Sequence, residues 1–334
     1  MSAAWRKDDH EPMSPASSSS SMDEEDVNCR VSPHWPDYRN LLFSKGFRLD
    51  TVRDVKQYYR DHFADGVNRL PSSTRARLSH GDDALCPDAG LRDNLFRGTC
   101  IRNGTKVVIK AVHCRSRELE VIRFLSTSPI REHQMNHCIR AFKDLVFVPR
   151  LTQPAAVLDL VVVPDDDLAF IVMEEWSSQL IADGGPCCLG LFLGALRQCI
   201  EHAVFMHMHR IAHLDISLRN LVTDYNGRYA CIDYELSRRL ELGQRASIVG
   251  FRATEVPPEC ENGECRDPFK VDVWALAVLM LRACKMCGYC VPELLEIIKP
   301  MLNENPDDRP TALAVLKAFD RMVPLIGDHR LQVR

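Results

Sequence analysis

Hydrophobic and polar positions divide the chain into two unlike halves behind a polar front. Apolar residues crowd into short runs at Asn94 to Ile101 and Lys106 to Val112, separated by Asn103-Gly104, and this predicts a β-hairpin. A helix-period stretch follows from Glu118 to Ser126, and Asp144 to Val148, Leu158 to Val163 and Leu168 to Met173 predict three further strands. Beyond Gly190 the spacing turns helical, over Leu191 to His209, Val271 to Cys284, Val291 to Leu302 and Thr311 to Phe319. The predicted order is a β-rich lobe followed by a helical one, with no internal repeat.

The front of the chain reads differently. Ser17 to Ser21 followed by Asp23-Glu24-Glu25-Asp26 is too polar to offset the entropy of ordering, so a tail is expected over 1–33. Leu41, Leu42, Phe47, Val52, Val55 and Tyr58-Tyr59 recur at roughly helical spacing and predict a helical extension with its linker over 34–78. The polar stretch from Pro71 to Asp83 sets the main boundary. The lobes are then expected at 79–176 and 177–328, with a short tail at 329–334.

Composition narrows the partners. The 334 residues carry 42 Lys and Arg against 46 Asp and Glu, a net charge of −4, which gives no global positive field for nucleic acid or an anionic membrane. With 46% hydrophobic and 26% charged residues, the chain has ample apolar side chain for one large core or two. The best apolar run, Ala155 to Val163, stops at Pro164-Asp165-Asp166-Asp167, short of the ~18 residues a bilayer span needs. Arg6, Lys7, Asp8 and Asp9 leave no signal-peptide h-region, so an intracellular protein is expected. The 14 cysteines, many within apolar segments, are expected to be reduced and mostly buried. Cys284-x-x-Cys287-x-x-Cys290, with Cys260 and Cys265 upstream, has spacing that could hold a metal, but no His or second pair completes a set.

Chemistry concentrates between His213 and Asp233. His213-Leu214-Asp215-Ile216-Ser217-Leu218-Arg219-Asn220 places an acid able to accept a hydroxyl proton and an amide able to ligate Mg²⁺ on one short loop, the pairing phosphoryl transfer needs. Thirteen residues past Asn220, the strand end Cys231-Ile232-Asp233 delivers a second candidate metal ligand. Upstream, Val107-Val108-Ile109-Lys110 ends a strand on a lysine, and the following helix carries Glu118, a pair suited to gripping phosphates. Singly, each piece is more often structural: a buried His-x-Asp bonding pair, a solvated lysine, a carboxylate closing a strand. Their order and spacing make the difference.

Further elements give the chain its resemblance. Pro257-Pro258-Glu259, Asp272-Val273-Trp274, Asp307-Asp308-Arg309-Pro310 and His207 fall where the protein-kinase superfamily has its own, and the stretch from near Asp83 to near Leu325 resembles that superfamily, most of all the kinase-like proteins of mushroom-forming fungi. The resemblance implies a bilobal α+β fold that uses ATP and Mg²⁺. It implies Lys110 on the phosphates with Glu118 as partner (Glu120 less so), Asp215 as base, and Asn220 and Asp233 on the metal. Met173 becomes the gatekeeper of an adenine hinge at Glu174-Glu175-Trp176, and Glu259 is expected to meet Arg309 beside the helix that begins at Asp272.

Several positions depart from the pattern. Asp88-Ala89-Gly90-Leu91-Arg92-Asp93 holds one glycine, Gly90, where the family has three to approach the phosphates, and Val108 replaces the alanine against adenine. Leu214 stands in place of the arginine that receives an activating phosphate, and Ser217 in place of a lysine. Arg219 falls where tyrosine kinases carry a cation able to reach the γ-phosphate. Glu235 replaces a glycine, as in choline and aminoglycoside phosphotransferases. The leading expectation is an ATP-dependent kinase acting on Ser or Thr hydroxyls of a protein. A pseudokinase scaffold and a small-molecule kinase are the alternatives.

Overall fold

The computed structural model describes residues 27–62, 72–139, 157–178, 188–241 and 248–332. Its first lobe contains helices α1 (Trp35–Ser44), α2 (Val52–His62), α3 (Ser72–Leu78) and α4 (Arg117–Leu125). Its strands are β1 (Phe47–Leu49), β2 (Leu95–Cys100), β3 (Lys106–His113), β4 (Val157–Val163) and β5 (Leu168–Glu174), joined in one sheet of order β1-β2-β3-β5-β4. All pairings are antiparallel, and Lys110 on β3 stands opposite Leu95 on β2 and Ile171 on β5.

Period-two alternation sends the two sets of β3 side chains to different tasks. Val107, Ile109 and Ala111 join Trp35, Leu42, Phe47, Leu49, Phe96 and Phe170 in one core, under α1. Val112 looks the other way, into the core that α4 shares with the second lobe. Helix α4 starts at Ser116, whose hydroxyl accepts from Leu119 N at 3.3 Å, and buries Leu119, Val121, Ile122 and Leu125.

The second lobe is helical: α5 (Leu189–Met208), α6 (Pro268–Cys287), α7 (Pro292–Met301), α8 (Ala312–Met322) and α9 (Asp328–Gln332). By length and hydropathy α5 would suit a bilayer, yet 67% of that stretch is buried inside the protein, where it is the central core helix. Helix α6 begins on Asp267, which accepts from Phe269 N and Lys270 N, and ends on Gly288 at φ +74°, a conformation that glycine adopts without strain. Between α5 and α6 lie three short antiparallel pairs: Ile211–Ala212 with Arg238–Arg239, Leu221–Thr223 with Tyr229–Cys231, and Ile248–Val249 with Glu264–Cys265. The architecture is α+β and bilobal, as expected, and compatible with a kinase-like fold.

Two expectations change. The 34–78 extension is not one helical unit: β1 interrupts it and pairs with β2 through Phe47↔Cys100 and Leu49↔Gly98. Trp35 and Leu42 pack in the same core as Phe96, so a boundary at residue 79 would cut through the first lobe. A three-residue strand is too short to register in a helix-length window, which is why the sequence hid it. At the far end α9 occupies most of the 329–334 tail, with Arg330 bonded to Glu293 at 2.5 Å. Residues 1–26 of the predicted tail and the predicted strand at 144–148 lie outside the described residues. Among the described residues every cysteine is a free thiol, and no group of three or more His, Cys, Asp or Glu side chains is placed to hold a metal.

Candidate functional site

The loop after α5 is built around one buried carboxylate. Asp272, fully buried in α6, accepts from His213 N at 2.8 Å, Leu214 N at 2.7 Å and His207 Nε2 at 2.9 Å. Those bonds hold Leu214 at φ +65°, a left-handed conformation that costs a non-glycine residue of order 1–3 kcal/mol. Its side chain is buried with Ile248, Phe251, Cys260, Cys265 and Val271. Where the family places a phosphate-receiving arginine, this chain therefore places an apolar contact with the segment that precedes α6.

Two histidines complete the scaffold as neutral rings. His213 Nδ1 accepts from Asp215 N at 3.3 Å, and burial lowers its pKa although Asp272 and Asp215 pull the other way. His202 Nδ1 accepts from His137 N at 3.2 Å, and its Nε2 lies 3.0 Å from the Tyr234 hydroxyl. That hydroxyl also donates to Cys231 O, which leaves Nε2 of His202 as the protonated nitrogen. Burial, then the neighbouring His213, holds the His202 pKa well below the ordinary imidazole value.

Asp215 is thereby presented with both oxygens engaged: Oδ1 accepts from Thr254 N at 2.7 Å and Oδ2 from Asn220 Nδ2 at 2.7 Å. Asn220 Nδ2 also donates to Asp215 O at 2.9 Å, which leaves the amide oxygen as the atom available to a cation. Across the cleft, Lys110 Nζ bonds Glu118 Oε1 and Asp233 Oδ1, each at 2.7 Å. Burial opposes the charge on Lys110, but Glu118 and Asp233 outweigh it, and the lysine pKa lies above its ordinary value. Burial likewise opposes the charge on Asp233, and Lys110, then Arg92, outweigh it and lower that pKa.

These groups surround a cavity of about 220 Å³. Gly90, Leu91 and Arg92 form its roof; Ile122, Ile139, Ile171 and Met173 its apolar back; Arg219, Asn220 and Asp233 its floor. Asn220 and Asp233 offer hard oxygen donors on one side, a set that suits Mg²⁺, which takes few protein oxygens and completes its shell with phosphate and water.

Not every expected residue reaches the cavity. Val108 shares the face of β3 that carries Lys110, but lies beyond the lining, opposite Met173. Glu174 pairs with Val107 in the sheet. Glu175 gives its N–H to Lys106 O at 2.9 Å and turns its carboxylate to Arg97 Nε at 2.7 Å. Trp176 lies under the Arg228 guanidinium, 5.8 Å from the ring centroid. The Glu175 and Trp176 side chains thus meet Arg97 and Arg228, whereas the hinge is expected to meet adenine through its backbone. Asp215 also stands outside the lining, tied to it through Asn220.

Away from the cavity, Glu259 and Arg309 do meet, in a two-point pair at 2.6 Å and 2.6 Å with the arginine side chain fully buried. No family model matches the chain. Over 145 residues it is 26% identical to serine/threonine-protein kinase PAK 1 of Mus musculus, covering 42% of this chain and 24% of that protein. Over 117 residues it is 26% identical to serine/threonine-protein kinase max-2 of Caenorhabditis elegans, covering 35% of this chain and 16% of that one. The relationship is protein-kinase-like. The matched segment spans a quarter or less of these relatives' length.

Two residues that no motif marks in the sequence reach the site or its edge. Arg92 reaches Asp233, its Nη1 3.5 Å from Oδ2. Arg30 pairs with Glu235 at 3.3 Å, so the glutamate that departs from the family pattern faces a cation from the N-terminal segment. Neither had a sequence signal, since an exposed arginine in a loop has no periodicity to mark it.

Proposed function

We propose that the protein is an ATP-dependent, Mg²⁺-assisted phosphotransferase acting on Ser or Thr hydroxyls of a protein substrate. The observation that carries this reading is Lys110 bonded at 2.7 Å to both Glu118 and Asp233, because it joins α4, β3 and the metal-ligand strand end in one buried cluster. Asn220 and Asp233 would hold Mg²⁺, and the bound nucleotide and metal supply the phosphoryl group and the positive charge that eases its transfer. Asp215, held by Thr254 N and Asn220, keeps lone pairs free to accept the proton of an incoming hydroxyl. Ile122, Ile139 and Ile171 provide an apolar wall against which a base can rest.

One observation favours a second reading, a nucleotide-gated scaffold without turnover: both oxygens of Asp233 already face cations, Lys110 and Arg92. The first test is the melting temperature of the full chain with ATP, with and without Mg²⁺. At ~100 times its dissociation constant ATP should stabilise the fold by about 2.7 kcal/mol, and only in the presence of the metal. Absence of any shift at millimolar ATP rejects the nucleotide site. A metal-dependent shift without phosphate transfer to protein favours the scaffold, and transfer to free alcohols alone favours a small-molecule kinase.

A further inference from the structure

A polyphosphate needs donors, and this cleft has fewer than its fold suggests. Lys110 is already neutralised by two carboxylates at 2.7 Å. The roof loop cannot offer its amides either: Gly90 N donates to Asp88 Oδ1 at 2.7 Å and Leu91 N to Asp88 O at 3.2 Å, so two N–H groups that would cradle a phosphate are turned back into the loop. The next residue is an arginine whose side chain is 56% exposed and lines the same cavity. Its one ionic contact among the described residues is Asp233 Oδ2 at 3.5 Å, too long for a strong hydrogen bond, which leaves most of its five donors uncommitted.

Its position is nonetheless fixed. Leu95 N donates to Arg92 O at 2.9 Å, and the Trp35 indole donates to Asp93 O at 2.9 Å. Asp88, which folds the loop, is itself held by an ion pair to Arg97. The backbone is pinned on both sides of an exposed cation that lines the cavity opposite Asp233.

Resting on the nucleotide reading above, we propose that Arg92 is the residue that binds the phosphate chain, doing with a guanidinium what a glycine-rich loop does with backbone amides. In the nucleotide-bound protein Arg92 would turn from Asp233 to the phosphate oxygens, and Asp233 would then be free to help Asn220 hold the metal. The planar fork matches two phosphate oxygens at once, which a lysine cannot reproduce.

The test is calorimetric titration of the full chain and its Arg92→Ala and Arg92→Lys variants with Mg²⁺–ATP and with adenosine. Arg92→Ala should bind ATP about ten- to a hundredfold more weakly, the loss expected for a hydrogen bond to a charged group, with adenosine unchanged and Arg92→Lys in between. Because the side chain lies at the surface, all three proteins should melt within a degree or two of one another. Unchanged or tighter ATP binding by Arg92→Ala overturns the proposal, as does an equal loss for ATP and adenosine. Wild-type protein that binds neither ligand overturns the nucleotide reading itself, an outcome separate from failure of Arg92 alone.

Discussion

The floor and the roof of the cleft are held in opposite ways. Beneath it, the 213–220 loop hangs from Asp272, with neutral His202 and His213 buried in the same core and a buried Arg309 paired with half-buried Glu259. Above it, the 88–93 loop lies at the surface and is fixed by an Asp88 turn paired with Arg97, the Leu95 N bond to Arg92 O and one indole hydrogen bond. On the floor the functional groups are inseparable from the folding of the helical lobe, so their chemistry can change little without loss of the fold. The roof is under no such constraint, and it is there that the sequence departs from the glycine-rich pattern of the protein kinases it resembles.

The largest effect that would break this contrast is on the floor. Asp272→Ala strands three donors, His213 N, Leu214 N and His207 Nε2, at roughly 1–3 kcal/mol each when buried. We expect a loss of about 3–6 kcal/mol in denaturant unfolding. A loss below about 1 kcal/mol would mean that the loop holds its shape without the carboxylate, and the two halves of the cleft would differ less than argued.

Acid should act on the floor next. Burial first of all lowers the pKa of His202 and of His213, so each is neutral in the fold and binds protons more readily when unfolded. Above the ordinary imidazole value of 6.5 both states are neutral and nothing changes. As pH falls below it, the unfolded chain takes up protons that the fold refuses, and stability should drop, with a limiting slope of about 1.4 kcal/mol per pH unit for a ring that stays neutral in the fold. More of the drop should come from His202 than from His213, whose burial Asp272 and Asp215 oppose. Unfolding free energies measured from pH 7 to 5.5 check this, and a flat profile would show that water reaches both rings.

The smallest effect in stability sharpens the roof. Trp35→Phe keeps the ring against Phe96 and Phe170, at centroid distances of 5.2 and 5.7 Å, but removes the bond to Asp93 O. The expected cost is about 0.5–1.5 kcal/mol, together with weaker ATP binding and unaltered adenosine binding. Equal effects on both ligands would place the indole in the general packing of the lobe, without a special hold on the 88–93 loop.

The same contrast explains what could be read in advance. Asp215, Asn220, Asp233, Lys110 and Glu118 were legible because short loops and strand ends fix their spacing, and the spacing survives as a motif. Glu259 and Arg309 were legible only together, as partners lying 50 residues apart. Arg92 is legible only as part of a glycine-poor loop, since an exposed cation in a loop leaves no pattern in its neighbours. Strand β1 was invisible for a related reason: Phe47-Arg48-Leu49 alternates only once before the chain returns to helix. The expected hinge residues are placed by register, as backbone partners of a base, and the contacts of Glu175 with Arg97 and of Trp176 with Arg228 are side-chain contacts that the sequence does not announce.

Strand β1 also matters for how the protein meets other chains. It is the outermost strand on its side of the sheet, and by pairing with Phe47 to Leu49 the lobe covers the free backbone groups of β2 with its own preceding segment. Were that segment cut away or peeled back, β2 would present an unpaired ladder next to an opened apolar core, the surface that recruits a stranger's strand. Residues 35–49 thus shorten the open edge from the six residues of β2 to the three of β1, and a fragment that lacks them exposes the longer edge.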